Sequence, residues 1–403
     1  MKFEKSEILK NLPKQFFANL VIKVNKKIAE GVDVINLGQG NPDKQTPEYI
    51  VKSTQKWVAS PQSHKYSLFR GQPDFKQAIA DFYQEKYQTT FDPEKEVAVL
   101  GGSKTGLVEL PLALMNAGDV FLLPDPGYPD YWSGATLGQV TFEKVPLLKE
   151  NNFLPDLKSI PEELAKKAKF FYINYPNNPT GATATREFYE ELVAWAKKYE
   201  VGIISDFAYG AIGFDGERPL SFMEIPEAKD VGIEFYTFSK TFNMAGWRVA
   251  FAVGNADIID ALNLIQDHLF VSIFPALQYA GIDALKAPER DAEINKIVDR
   301  YETRRNAFIQ AAEKIGWKAF VPKGTFYAWM EVPKGYSSEE FADLLLNEAG
   351  VAVAPGNGFG EYGNIIVCRF HYLSIFATNI RFYFLCSKFL QGFLAIIVQI
   401  ILF

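Results

Sequence analysis

The sequence predicts an α/β fold: a mainly parallel sheet covered by helices on both sides. Three observations carry this expectation. The apolar runs Glu96-Val97-Ala98-Val99-Leu100, Val120-Phe121-Leu122-Leu123, Phe170-Phe171-Tyr172-Ile173 and Val201-Gly202-Ile203-Ile204 are near-continuous rather than alternating, as in strands buried on both faces. Helical patterns stand between them, for example Arg186-Glu187-Phe188-Tyr189-Glu190-Glu191-Leu192-Val193-Ala194-Trp195-Ala196-Lys197-Lys198, and such alternation builds parallel sheets through crossover helices. Finally, 403 residues, 48% hydrophobic and 22% charged, suffice for a large core in two or three domains.

Composition excludes several classes of function. With 42 Lys plus Arg against 48 Asp plus Glu the net charge is −6, whereas a nucleic-acid partner calls for a basic excess. The two cysteines, Cys368 and Cys386, cannot build a disulfide framework. His64, His268 and His371 are far apart and form no zinc-binding pair, so no metal site is expected. The start, Met1-Lys2-Phe3-Glu4-Lys5, has no signal-peptide core, which implies a cytoplasmic protein.

In chain order, the first chemistry-bearing segment is Gly101-Gly102-Ser103-Lys104-Thr105-Gly106. It fails the P-loop pattern, because no Gly-Lys-Ser/Thr closes it, and no GxGxxG opens a βαβ unit. What remains is a strand ending at Leu100, a small-residue turn and a helix through Leu107–Leu114. That is either a plain junction or a phosphate seat made of backbone N–H groups, the Ser103 hydroxyl and the Lys104 ammonium. Asn177-Asn178-Pro179-Thr180-Gly181 follows the next strand but one and reads by default as a turn. Asp206-Phe207-Ala208-Tyr209 ends the strand Val201–Ser205, which puts a carboxylate where open α/β sheets bind ligands. Glu234-Phe235-Tyr236-Thr237-Phe238 leads to Ser239-Lys240, and Arg248 stands eight residues beyond the lysine. Singly, each of these cations reads as a solvated surface charge.

Together, Gly102-Ser103-Lys104, Pro126-Gly127-Tyr128-Pro129, Asn178-Pro179-Thr180-Gly181, Asp206-Phe207-Ala208-Tyr209, Ser239-Lys240 and Arg248 stand in a familiar order. The chain resembles the class I/II, fold type I aminotransferases, which depend on pyridoxal 5'-phosphate. Leu37-Gly38-Gln39-Gly40-Asn41-Pro42-Asp43 and Tyr66-Ser67-Leu68-Phe69-Arg70-Gly71 fit the family's N-terminal signatures, and the resemblance covers roughly residues 10–361. The wording around Asn174–Gly181 and Phe242–Arg248 is similar to the LL-diaminopimelate-aminotransferase-like branch and to methionine-salvage transaminases.

The resemblance implies a mainly parallel, seven-stranded type of sheet in a large cofactor domain, residues 46–283, and a smaller α+β domain built from residues 1–45 and 284–361. It implies amino transfer from an amino acid to a 2-oxo acid, with Lys240 as the lysine that carries the cofactor. Asp206 would face the pyridine nitrogen; Asn178 and Tyr209 the phenolic oxygen; Tyr128 the ring face. Gly102, Ser103, Lys104, Ser239 and Arg248 would hold the phosphate, and Tyr66 would reach the phosphate of a neighbouring subunit in a homodimer. Gly40, Asn178 and Arg369 would contact substrate. The rivals are a cofactor-dependent C–S lyase on the same fold and a catalytically impaired cofactor-binding relative.

The chain changes character after Glu361: the last 42 residues hold no acidic side chain, ten aromatics and three Lys or Arg. The charge-free run Phe389–Phe403, 15 residues, is shorter than the ~18–20 a membrane span needs. Aligned without gaps, the family's substrate-gripping arginine falls on Cys368, and Arg369 replaces it only if a bulge absorbs the slip. The expectation is therefore an atypical tail over 362–403, out of frame from about Gly363, against the alternatives of a closing helix or a membrane anchor.

Overall fold

The computed structural model describes residues 1–369 except 14, 15, 271, 315, 318, 319, 363 and 364, and gives the backbone alone for Phe16, Phe17 and Ile365–Arg369. Of the expected apolar tail over 362–403, the part beyond Arg369, including Cys386, lies outside the described residues. The strands are β1 (Ile35–Asn36), β2 (Val97–Leu100), β3 (Val120–Asp125), β4 (Thr141–Pro146), β5 (Ala168–Ile173), β6 (Gly202–Asp206), β7 (Gly232–Thr237), β8 (Ala250–Gly254), β9 (Tyr327–Glu331), β10 (Val351–Ala352), β11 (Ala354–Pro355) and β12 (Ile365–Arg369).

Seven of them form the central sheet in the order β2-β8-β7-β6-β5-β3-β4. Pairs from β7 through β4 are parallel, while β8 runs antiparallel to both β7 and β2. Two reversals restore direction, so β2 points the same way as the parallel strands, and only β8 is inverted. This puts the carboxyl ends of β2, β3, β5, β6 and β7, together with the amino end of β8, along one rim of the sheet.

The near-continuous apolar runs have a plain cause. Successive strand side chains alternate between two cores, one on each face. Phe170 and Tyr172 of β5 pack on one side and Phe171 and Ile173 on the other; in β8, Ala250 and Ala252 oppose Phe251 and Val253. Helices cover both faces. Ser103–Leu114 and Ala256–Leu269 bury Leu107, Leu110, Ile259 and Leu262 on one face. Pro73–Tyr87 and Arg186–Tyr199 bury Phe75, Phe82, Phe188 and Leu192 on the other. The Arg186–Tyr199 helix starts where the Thr185 side chain accepts the Phe188 N–H, and it ends at left-handed Glu200.

Beyond the sheet, the N-terminal segment returns to meet the C-terminal part of the chain. β1 pairs in parallel with β10, and β11-β12-β9 form a small antiparallel sheet. Asp43 accepts both guanidinium nitrogens of buried Arg304, each at 3.0 Å, tying that segment to the long helix Arg290–Lys314. β12 pairs with β9 in unbroken register over 365–369, without the bulge that the one-place slip called for. The partner of Arg369 is Tyr327, and that of Cys368 is Ala328.

Candidate active site

The rim where the strands end gathers most of the expected residues. Asp206 is the last residue of β6 and is 5% exposed. Its Oδ2 accepts the Tyr131 hydroxyl at 2.7 Å, while Oδ1 is buried with no hydrogen-bond partner. Burial pushes this carboxyl up to about 6; the Tyr131 hydroxyl, the nearby Ala208 N–H and the Lys240 charge oppose the rise without cancelling it. An interior carboxylate oxygen left bare is rare, because native proteins pair such atoms. It is explained if a bound cationic N–H completes it.

Lys240 stands on the short helical turn Phe238–Thr241 that follows β7, where the Thr237 side chain caps the Ser239 N–H. Its Nζ donates to the Gly40 carbonyl at 3.1 Å and lies 5.2 Å from the Phe326 ring and 6.0 Å from that of Tyr209. Gly40 is glycine for a steric reason: any side-chain carbon there would collide with the Tyr327 hydroxyl. Tyr209, three residues after Asp206, faces that hydroxyl at 3.4 Å, and burial holds the Tyr209 phenol well above its ordinary range.

After β5, Asn174 ties the next loop to β6. Its amide donates to the Asp206 carbonyl at 2.6 Å and its oxygen accepts the Asn178 N–H at 2.7 Å. Asn178 is thereby presented at the rim, buried and with its amide oxygen unpaired. Tyr128 follows β3, half-buried, its ring 5.6 Å edge-on to that of Tyr131. Burial and the neighbouring carboxylates of Asp130 and Asp206 raise its phenol well above its ordinary range.

Gly102 caps the helix Ser103–Leu114 at φ 96°, a region open to glycine, so the helix begins at Ser103 rather than Leu107. A side-chain carbon at Gly102 would strike the Arg248 guanidinium, which folds back over this turn and donates to the Ala245 carbonyl at 2.9 Å. The helix N-terminus and Arg248 together make an anion seat. Lys104 departs from expectation. Its ammonium pairs with Asp130 at 2.9 Å, an anion on the same rim that draws the charge away from the turn, leaving its backbone to the seat. Tyr66 is 94% exposed and reaches no part of this chain's own site. The backbone of Arg369 is placed in β12, and its side chain lies outside the described residues.

Tyr131, Asn174, Phe326 and Tyr327 were not anticipated. Asn174 could have been found from its position four residues before Asn178. The tyrosines carry no local signal, since a buried Tyr in an apolar stretch reads as core.

This constellation fits pyridoxal 5'-phosphate: a bare interior carboxylate oxygen, a lysine across from it and an anion seat at a helix start. The profile of "Aminotransferase class I and II" matches residues 32–369, and the chain belongs to that family. It is an aminotransferase that uses pyridoxal 5'-phosphate to move an amino group between an amino acid and a 2-oxo acid. It is 60% identical over 364 residues to the L-glutamine--4-(methylsulfanyl)-2-oxobutanoate aminotransferase of Bacillus subtilis, covering 90% of this chain and 91% of that one. The LL-diaminopimelate aminotransferase of Aquifex aeolicus is 49% identical, covering 90% and 93%. Substrate-bound BacF of Bacillus subtilis superposes with a TM-score of 0.89 at 45% identity, over 94% of this chain and 98% of that one.

Proposed function

We propose that this chain transaminates a 2-oxo acid with an unbranched thioether side chain, taking its amino group from L-glutamine. The observation that carries this is the 60% identity to the relative named for that reaction, against 49% to one named for LL-diaminopimelate. Bound pyridoxal 5'-phosphate supplies the electron sink that lets a proton leave the substrate Cα.

The residues divide the remaining work. Asp206, oriented by Tyr131, would hold the pyridine nitrogen and keep it protonated. Asn178 and Tyr209 would hold the phenolic oxygen, and Tyr128 would cover the ring. Backbone N–H groups at Gly102–Lys104, the Ser239 hydroxyl and the Arg248 guanidinium hold the phosphate. Lys240 anchors the cofactor and moves the Cα proton on its Nζ, within reach of the Gly40 carbonyl it now contacts. Gly40 and Asn178 receive the substrate carboxylate.

The active unit is a homodimer in the cytoplasm. Exposed Tyr66, Leu68 and Phe69 favour this, forming an apolar segment that a second copy would cover and from which Tyr66 would reach the partner's phosphate seat. The two-domain division at about residues 45 and 283 goes with it; the pairing of β1 with β10 supports a small domain built from both ends of the chain.

The test is a panel of amino donors against 2-oxo acids, read by product analysis, with borohydride reduction of the holoenzyme and peptide mapping. Glutamine with the methylthio acceptor should be the fastest pair, and the label should sit on Lys240. A preference for diaminopimelate would move the chain to the other branch. Ammonia release without an acceptor would make it a lyase, and label at Lys104 would overturn the site.

A further inference from the structure

One buried carboxylate on the same rim has no part in the chemistry above. Asp125 ends β3 and is fully buried. Both of its oxygens accept the Glu361 N–H, at 2.9 and 3.0 Å, and Oδ1 also accepts the Tyr362 N–H at 3.2 Å. Lys144 on neighbouring β4 places its ammonium 3.4 Å from Asp125 and 2.5 Å from Glu361, closing a three-charge cluster. Two residues on, the Gly127 N–H donates to the Phe359 carbonyl at 2.8 Å. Gly360, at φ 148°, comes so near that any side-chain carbon would strike the Asp125 carboxylate. The turn Phe359–Tyr362 thus docks on the end of β3 by contacts that span 236 residues of sequence.

The consequences lie on either side of this junction. On the β3 side, the chain continues from Asp125 into Tyr128, the residue assigned to the cofactor ring. Downstream, the docked turn precedes β12, which pairs with β9. β9 begins with Tyr327, whose hydroxyl meets Tyr209 and packs on Gly40. Phe359 is buried edge-on against Trp329 of the same strand. The Asp125 carboxylate thus ties the turn that leads into the small sheet to the end of β3, on the cofactor-side rim.

We infer that Asp125, assisted by Lys144, is a positioning residue for substrate binding: it docks the Phe359–Tyr362 turn and so sets the spacing between the β9–β12 sheet and the cofactor rim. The inference rests on the site assignment above, and its test has an arm that does not. Asp125→Asn keeps the shape but turns one acceptor into a donor facing backbone N–H groups. Lys144→Met removes the outer charge and leaves the buried bonds in place.

In the cofactor-loaded full chain, the half-reaction with the amino donor is followed over substrate concentration. Half-saturation should rise roughly 10- to 100-fold in Asp125→Asn and by less in Lys144→Met, with the limiting rate held within about threefold and the cofactor absorption band unchanged. In the cofactor-free protein, amides of Phe359–Tyr362 should exchange at least about tenfold faster, while those of β5 and β6 stay protected. Unchanged exchange would show that no docking depends on Asp125. Faster exchange with unchanged half-saturation would reduce it to a structural contact, and loss of the cofactor band from both variants would make it part of the cofactor seat; each overturns the inference. If the wild-type chain itself performs no half-reaction, the functional reading falls, and the exchange measurement still decides the docking.

Discussion

Replacing Asp206 by Asn in the cofactor-stripped protein should make it relatively more stable at pH 8 than at pH 5. Burial lifts this carboxyl from 3.8 to about 6, against the Tyr131 hydroxyl, the Ala208 N–H and the Lys240 charge. A folded-state value above the unfolded one means that the native protein holds the proton more tightly. The contribution of this group to stability therefore falls as pH rises from about 3.8 to about 6, and stays low above that. Two units at 1.36 kcal/mol each amount to about 3 kcal/mol across the whole window. Roughly half of that has been lost by pH 5, which leaves on the order of 1 kcal/mol between pH 5 and pH 8. Asparagine does not titrate and escapes this loss. Its amide nitrogen, placed where Oδ1 now has no partner, adds an unpaired donor worth about 1–3 kcal/mol, but that penalty is the same at both pH values. Glu234, pushed up to about 7 by burial and held by Tyr83, Ser205 and Ser221, titrates nearby yet is common to both proteins and cancels. The assay is urea unfolding of wild type and variant at the two pH values, and the quantity of interest is the difference of differences. Adding pyridoxal 5'-phosphate should abolish it, since the carboxylate then faces a cation. A wild-type-to-variant gap identical at pH 5 and pH 8 would refute the reasoning, because it would mean that Asp206 stays ionised throughout.

Three further outcomes are expected. Gly102→Ala places a side chain against the Arg248 guanidinium at a φ of 96°, and cofactor titration of the stripped protein should show affinity lowered at least about tenfold. Gly40→Ala should displace Tyr327; the concentration of amino donor for half-reaction should rise about tenfold or more, with cofactor affinity little changed. Tyr131→Phe removes one hydrogen bond to a charged oxygen, worth about 1.5–3 kcal/mol, and should slow Cα proton abstraction in single-turnover experiments roughly 10- to 100-fold without releasing the cofactor.

Much of this protein is legible in the sequence because its logic is local. Strands buried on both faces are apolar at most positions, so the runs around Val97, Phe121, Phe171 and Ile203 declare themselves, with limits a residue or two from those observed. Residues that meet a ligand at the rim must follow strand ends, which is why Asp206, Asn178 and Lys240 stand out once the strands are drawn. The tertiary structure decided the rest. Tyr131 finds Asp206 across 75 residues, and Lys104 turns to Asp130 instead of the anion seat. A side chain at Gly40 would displace Tyr327, which packs onto it from a strand far away in sequence. Asp125 carries no local sign of its role, yet its carboxylate accepts the backbone N–H of Glu361. A local pattern records which face of an element is buried, but which distant group shares that burial depends on strand order and register, and these are settled only when the whole chain packs.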